Sequence, residues 1–490
     1  MHINKILISF VIINSIIIIT SYIFGFSKSL WLDELLSIIF GREIIGIPLR
    51  EIFNIDAHNP FFYSMLNFGQ NVIKLFTLDV NGNLNYLKLI NLIGFVPIYF
   101  SFRILKKEKT PINFYTVFLL LISSNYFIFY ILDLRPYFLL LSFSFLIYVL
   151  HLTDTLENKY KSLYLITSII LSALHVYGLT LSMSIIVYRF ILNLYKKNYY
   201  NVKINILFSI VLFLVFIAFY FLQITNKESM ALLKEYINIE FWYFRIFIEW
   251  TLNSLIYILI FLGVLFFQFK NQIFPLNSIK NFLKNDFVEK TLNLALPALI
   301  LVIVVVSLSY LVVPIIHFRP LIVIFPALAL YSGVISFYVK ETKKISFILI
   351  IFLIFCTSNN LFSYLKNILY TQQNIEWVIK KTFTKNCKNV DIYLNDKNKP
   401  GFIKFAKQIS EIYSKYERTI KPLNEIDITN HQTKYKNTKC DTLIFSFHSY
   451  GLENFIETQI SKEISLITEY APDVVNKNSS KAGAIVYLSK

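Results

Sequence analysis

Again and again along this chain of 490 residues, close to twenty successive positions carry almost no charge. Wound as a helix, such a run matches the thickness of a bilayer's hydrocarbon core, and in lipid a helix satisfies its own backbone hydrogen bonds. The runs are Ile6–Phe26, Leu87–Leu105, Ile112–Leu132, Tyr137–Leu152, Leu163–His175, Leu179–Tyr195, Ile204–Gln223, Trp250–Phe269, Leu292–Val313, Leu321–Val339 and Ile345–Phe362. They predict a polytopic α-helical membrane protein of about eleven spans. Only 16% of the residues are charged, well short of the roughly 25% usual in soluble domains, so lipid rather than a soluble core must receive the apolar excess. Ile6–Phe26 is too long for the apolar part of a signal peptide, and no small-residue cleavage site follows it, so it reads as the first anchor.

The formal charge of +17 raises the question of nucleic acid. Its Lys and Arg residues fall in short clusters between apolar runs, a pattern of topology signalling and attraction to anionic lipid, and no nucleic-acid partner is expected. With the N-terminus in the cytoplasm, the cytoplasmic loops carry Arg103/Lys106/Lys107/Lys109, then Lys159/Lys161, Lys196/Lys197/Lys203, Lys270/Lys280/Lys284/Lys290 and Lys340/Lys343/Lys344. The opposite loops hold Arg135, then none at 176–178, then Lys227, Lys234 and Arg245 in a long loop, and Arg319. Pro60–Phe76 is apolar enough to suggest another span, but it contains Asn67, Gln70, Asn71 and Lys74, and counting it would invert every later loop. It is therefore expected as an interfacial or re-entrant helix within a long outside loop, 27–86. Heavy use of Ile, Asn, Lys and Tyr fits an AT-rich bacterial genome, and the expected location is the bacterial inner membrane.

After Phe362 the chain turns polar. Residues 1–365 form the expected membrane domain and 366–490 a soluble domain outside the cytoplasm. Helix-like stretches at Tyr370–Phe383, Phe402–Tyr416 and Leu452–Ile460 alternate with strand-like ones at Val390–Leu394, Thr442–Phe447, Ile464–Thr468 and Ala484–Leu488, as in a small α/β layer domain. Cys387 and Cys440 each precede a strand. Parallel neighbouring strands would start close together, which allows a disulfide in an oxidising exterior, while two free or buried thiols are the plain alternative. Cys356 falls in the last span and reads as packing.

Ionisable residues at a membrane face are costly to place, so they are the informative ones. They fall in groups on one predicted side: Asp33-Glu34, Asp56-Ala-His58-Asn-Pro60 with Phe61-Phe-Tyr63, Asp133-Leu-Arg135-Pro-Tyr137, His175-Val-Tyr177-Gly178, and His317-Phe-Arg319-Pro320. Carboxylates partly desolvated there gain basicity, and arginines hold phosphate bidentately. Such a set suits a phosphate leaving group and a hydroxyl or amine nucleophile. Each residue also has an ordinary use. Acids favour a helix N-terminus, Pro60 fits a first helical turn that His58 would cap, Asp133 and Arg135 make a local pair, Arg319 snorkels to headgroups, and the tyrosines belong to an aromatic belt. The loop 224–249, rich in Glu and aromatics, reads as an amphipathic helix on the membrane.

In order and spacing these groups resemble the GT-C superfamily of integral-membrane glycosyltransferases, in particular the dolichyl-phosphate-mannose–protein mannosyltransferase and lipid A aminoarabinose transferase group. The family's first-loop acidic pair is matched by Asp33 and Glu34, and its His-Pro-Pro-Leu-Tyr-like motif by His58-Asn-Pro-Phe-Phe-Tyr63, with Asn59 in place of the first proline. Its acidic or polar residue, Arg and Tyr before the fourth span are matched by Asp133, Arg135 and Tyr137, and its His-Tyr-Tyr-Gly-like turn by His175-Val-Tyr-Gly178. Its Arg-Tyr-aliphatic-Pro motif is matched by Arg319 to Pro326, with Pro320 in place of the tyrosine. The resemblance covers about 1–380. It implies inverting transfer of a sugar from a polyprenyl-phosphate carrier to an extracytoplasmic lipid, protein or polysaccharide acceptor. Asp33 would deprotonate the acceptor. Arg319, with Arg135, would bind the lipid phosphate, and Glu34, His58, Tyr63, Asp133, Tyr137 and His175 would position substrate. A divalent metal on Asp33, Glu34, His58 and Asp133 stays open, since members of the superfamily differ in this. An O-antigen ligase or polymerase is the nearest alternative enzyme, and a lipid or sugar flippase the alternative transporter. Ligases commonly place their arginines in one late outside loop, and transporters show mid-membrane charges and internal repeats.

Overall fold

The computed structural model describes residues 32–43, 60–76, 81–153, 159–221, 286–311 and 320–338, together with short C-terminal segments at 391–394, 407–412, 420–422, 442–446, 465–470 and 484–489 and a few isolated positions. The chain divides into two units. The first comprises Met1–Tyr22, Ile44–Met65 and Lys88–Tyr364, and the second Ile23–Glu43, Leu66–Leu87 and Leu365–Lys490.

Four described helices are long and apolar enough to cross a membrane: Asn81–Lys107, Val176–Tyr195, Tyr199–Phe216 and Asp286–Ser309. Shorter apolar helices accompany them at Tyr137–Leu152, Lys161–Leu174 and Leu321–Phe337. Expected spans Ile6–Phe26, Trp250–Phe269 and Ile345–Phe362 lie outside the described residues, apart from isolated positions in the first. We number the helices α1 (Leu32–Glu43), α2 (Pro60–Phe76), α3 (Phe95–Lys107), α4 (Phe114–Ser123), α5 (Asn125–Tyr130), α6 (Tyr137–Leu152), α7 (Lys161–Leu174), α8 (Val176–Tyr195), α9 (Tyr199–Phe216), α10 (Asp286–Leu311) and α11 (Phe325–Tyr338). A 3-10 helix, Asn81–Gly94, runs directly into α3.

In the first unit α6 is the axis. It is apolar on all sides and buried along nearly its whole length, as a helix enclosed by others must be. It packs against α3, α7, α11 and α10. Its 16 residues give ~24 Å, shorter than a bilayer core. Enclosure by protein removes the need to reach both interfaces. The outward faces of α3, α8, α9 and α10 instead expose Tyr99, Ile191, Leu207, Phe213, Leu299 and Ile303. So much exposed apolar surface is costly in water and natural in lipid.

Loop contacts give the unit two chemically different ends. Lys159 Nζ donates to Glu108 Oε1 at 2.6 Å, Lys196 lies 3.6 Å from Glu289, and Lys290 Nζ donates to the Leu152 carbonyl at 3.3 Å. The basic loops after α3, before α7, after α8 and at the start of α10 therefore share one end. The turn between α5 and α6 and that between α7 and α8 lie at the other.

One expected span is corrected. Ile112–Leu132 is not continuous but breaks at Ser124, whose backbone is extended. Its hydroxyl accepts from Phe127 N at 3.0 Å and donates to the Leu121 carbonyl at 2.8 Å, so it caps α5 and closes α4 at once. Within an apolar run, a single residue able to satisfy both freed ends makes such a break affordable.

In the second unit, the polar residues that argued against a span at Pro60–Phe76 serve α1. Asn67 Nδ2 donates to the Gly41 carbonyl at 2.7 Å and Gln70 Nε2 to the Ile38 carbonyl at 3.3 Å, while Asn71 donates to Asn67 Oδ1 at 2.8 Å. Arg42 ties the group further, donating to Gln70 Oε1 and Asn81 Oδ1, both at 2.7 Å. Asn81 Nδ2 in turn reaches the Glu411 carbonyl at 3.4 Å. The C-terminal strands β1 (Asp391–Leu394), β2 (Ile420–Pro422), β3 (Thr442–Ser446), β4 (Ser465–Tyr470) and β5 (Ala484–Ser489) form one mixed sheet in the order β2-β1-β3-β5-β4. β2, β1 and β3 are parallel, with Asp391 opposite Thr442, and β5 is antiparallel to β3 and β4. Strand β2 went unread in the sequence, since three residues containing Lys and Pro carry no apolar alternation. Cys356, Cys387 and Cys440 lie outside the described residues.

Candidate functional site

Two of the predicted groups meet in the first unit, at the end away from the basic loops. The segment from Asp133 to Tyr137 is a tight turn: Asp133 N donates to the Tyr130 carbonyl at 3.3 Å and Arg135 N to the Asp133 carbonyl at 2.8 Å. Pro136, with φ −68°, is already in helical conformation and starts α6, its carbonyl accepting from Leu140 N at 2.8 Å. This places Tyr137 in the first turn of α6, where it is 3% exposed. The Arg135 guanidinium carbon stands 5.8 Å from the Tyr137 ring centre, within cation–π range. Asp133 is buried, at 5% exposure.

His175 comes from the other turn. It is extended between α7 and α8, and its Nδ1 accepts from Tyr177 N at 3.2 Å, capping α8. An accepting Nδ1 carries no hydrogen, so the ring proton sits on Nε2. The His175 ring lies 6.2 Å from that of Tyr137 and 5.5 Å from that of Tyr177, and Tyr137 lies 4.9 Å from Tyr130. Gly178 allows the turn to be this tight: a Cβ there would collide with the Leu171 carbonyl.

Glu34 and Tyr63 are buried, in α1 and the first turn of α2. Asp33 lies in α1, but its side chain is outside the described set, as are His58 and Arg319. Asp133, Arg135, Tyr137 and His175 are thus the predicted residues brought together. Among the described residues no three His, Cys, Asp or Glu side chains gather as a metal site would require.

Asn91 and Lys88 were missed by sequence reasoning. Both are buried, at 0% and 2% exposure, one 3-10 turn apart at the start of the expected Leu87–Leu105 span. Asn91 Nδ2 faces the carbonyls of Tyr130, Ile131 and Asp133 at 3.3, 3.1 and 2.8 Å. The available signal was the cost of placing Asn and Lys inside an apolar run.

A second buried polar cluster lies at the basic end. Arg189 Nε donates to His151 Nδ1 at 2.9 Å and its Nη2 to the His151 carbonyl at 2.8 Å, while Tyr188 Oη donates to Asn293 Oδ1 at 2.8 Å. These bonds join α6, α8 and α10. A scan against protein-family models finds no match to the chain, and a search of curated proteins finds no similar sequence.

Proposed function

We propose that this protein is an inverting glycosyltransferase of the bacterial inner membrane, with about eleven spans, moving a sugar from a polyprenyl-phosphate carrier to an extracytoplasmic acceptor. In this reading the basic end of the first unit faces the cytoplasm, and the turns carrying Asp133, Arg135 and His175 face outward with the C-terminal α/β domain. The observation that carries it is the meeting of Arg135, Tyr137 and His175, residues of two turns that α6 and α7 separate in the chain. A guanidinium over the Tyr137 ring, with the His175 imidazole 6.2 Å from that ring and its proton on Nε2, offers donors suited to a departing phosphate monoester anion.

The proposed roles follow from chemistry. Asp33 removes the acceptor proton as the acceptor oxygen or nitrogen attacks the sugar's anomeric carbon. The carbon–oxygen bond to the phosphate breaks, and the electron pair leaves on the lipid phosphate, where Arg135 and Arg319 neutralise it. Glu34, His58, Tyr63, Asp133, Tyr137 and His175 orient the two substrates. The test is Asp33→Asn in membranes supplied with a polyprenyl-phosphate sugar. Turnover is expected to fall at least ~100-fold at equal expression, in keeping with loss of a general base. Unchanged turnover removes Asp33 from the mechanism. Arg319→Ala is expected to raise the donor concentration needed for half-maximal rate, and an unaltered requirement refutes its phosphate role.

A further inference from the structure

We infer that Asn91 is the positioning residue for the Asp133–Arg135 turn, a role that rests on the proposed phosphate-binding function of that turn and extends it. α5 is only six residues long and ends in a protein interior, where its last carbonyls have no helical partner. Asn91 supplies one. Its amide nitrogen has two hydrogens and faces the carbonyls of Tyr130, Ile131 and Asp133, so the turn between α5 and α6 wraps a single donor group. The orientation of the amide is secure, because the flipped rotamer would point Oδ1 at three carbonyl oxygens. Oδ1 thus faces the opposite way, buried and without a hydrogen-bond partner among the described residues. That cost marks the side chain as retained for its donor end.

The backbone is built to bring this short side chain into reach. In a 3-10 helix residues three apart eclipse one another, so Lys88, Asn91 and Gly94 lie along one stripe, and all three are buried. At Gly94 a Cβ would come within 2.6 Å of the Phe138 ring and 2.8 Å of Ser142 Oγ. The missing side chain lets the helix approach α6 closely, one turn beyond Asn91. Phe95 then packs edge-on against Phe127 of α5 and Phe138 of α6, at 6.0 and 5.6 Å, clamping both flanks of the turn. Arg135 is two residues beyond the last carbonyl that Asn91 holds. A shift of that carbonyl moves the guanidinium directly.

The test uses the full chain in nanodiscs, with undecaprenyl phosphate as the probe. Hydrogen exchange at the amides of Ile131, Asp133 and Arg135, all bonded within the turn, is expected to quicken about ten-fold or more in Asn91→Ala. Undecaprenyl phosphate should bind about ten-fold more weakly to Asn91→Ala, and the double variant with Arg135→Ala should bind no worse than Arg135→Ala alone, because one residue acts through the other. Asn91→Gln keeps the NH2 donor and is expected to recover most of the binding, which separates donor loss from general misfolding. Unchanged exchange in the turn, or additive losses in the double variant, overturns the inference. If exchange quickens while wild-type protein binds no undecaprenyl phosphate, Asn91 still positions the turn and the donor reading falls instead.

Discussion

His175 shows how one side chain can serve both fold and site. Its Nδ1 caps α8 while its ring packs beside Tyr137. His175→Ala is expected to cost about 1 kcal/mol in unfolding free energy through the lost cap, and His175→Asn, which offers a capping oxygen, to recover much of it. If neither variant shifts thermal unfolding, the cap contributes nothing. At the opposite end, the hydrogen bond from Lys159 holds the Glu108 carboxyl below its ordinary range, with Tyr160 Oη donating to the same oxygen at 3.0 Å. A lowered folded-state value means that the pair adds stability above the ordinary glutamate pKa and loses it as pH falls through the lowered one. The stability gap between wild type and Glu108→Gln should therefore be present at neutral pH and fade as pH falls below the ordinary glutamate range. Both groups are solvent-accessible, so the gap should be small and shrink further in high salt.

Among the elements, the 3-10 helix meets α6 closely at Gly94. Gly94→Val should destabilise the protein by about 1–3 kcal/mol, because its side chain has to displace Phe138 or Ser142. Thermal unfolding checks this, and a neutral effect would mean that the helices part without strain. Most elements were legible from period and run length. α2 occupies Pro60–Phe76 as expected, α6 occupies Tyr137–Leu152, and β1, β3, β4 and β5 fall within a residue or two of their expected places. Runs of one character, bounded by Pro, Asn or charge, carry their own limits. The break at Ser124 and strand β2 were not legible, since each depends on a partner distant in sequence or on a hydroxyl's choice of acceptor. The candidate site was half legible. Asp133, Arg135, Tyr137 and His175 announce themselves as polar residues between spans, whereas Asn91 lies inside one, and its meaning comes from carbonyls about forty residues away.

For the molecule as a whole, the decisive measurement is sidedness. Single cysteines placed at Lys107 and Lys159 should react with a membrane-impermeant thiol reagent only from the cytoplasmic face, and cysteines near Asp33, Arg135 and Arg319 only from the other. Labelling of Arg135 and Lys159 positions from one face would contradict the two-ended arrangement of the first unit. In the C-terminal sheet, Cys387 precedes β1 by four residues and Cys440 precedes β3 by two, and these strands are parallel neighbours with Asp391 opposite Thr442. A disulfide between them predicts that alkylation of the unfolded protein modifies both cysteines only after reduction, as mass spectrometry would read; alkylation of both without reduction refutes it. By itself the sequence located most of the described apolar helices and marked which loops are basic, because run length and the cost of charge act on each segment separately. Which turns face one another, and which buried amide holds them, was decided only by tertiary packing. Helix-to-helix contact joins residues that no local period relates, and a hydrogen bond's worth depends on the partner that burial leaves it.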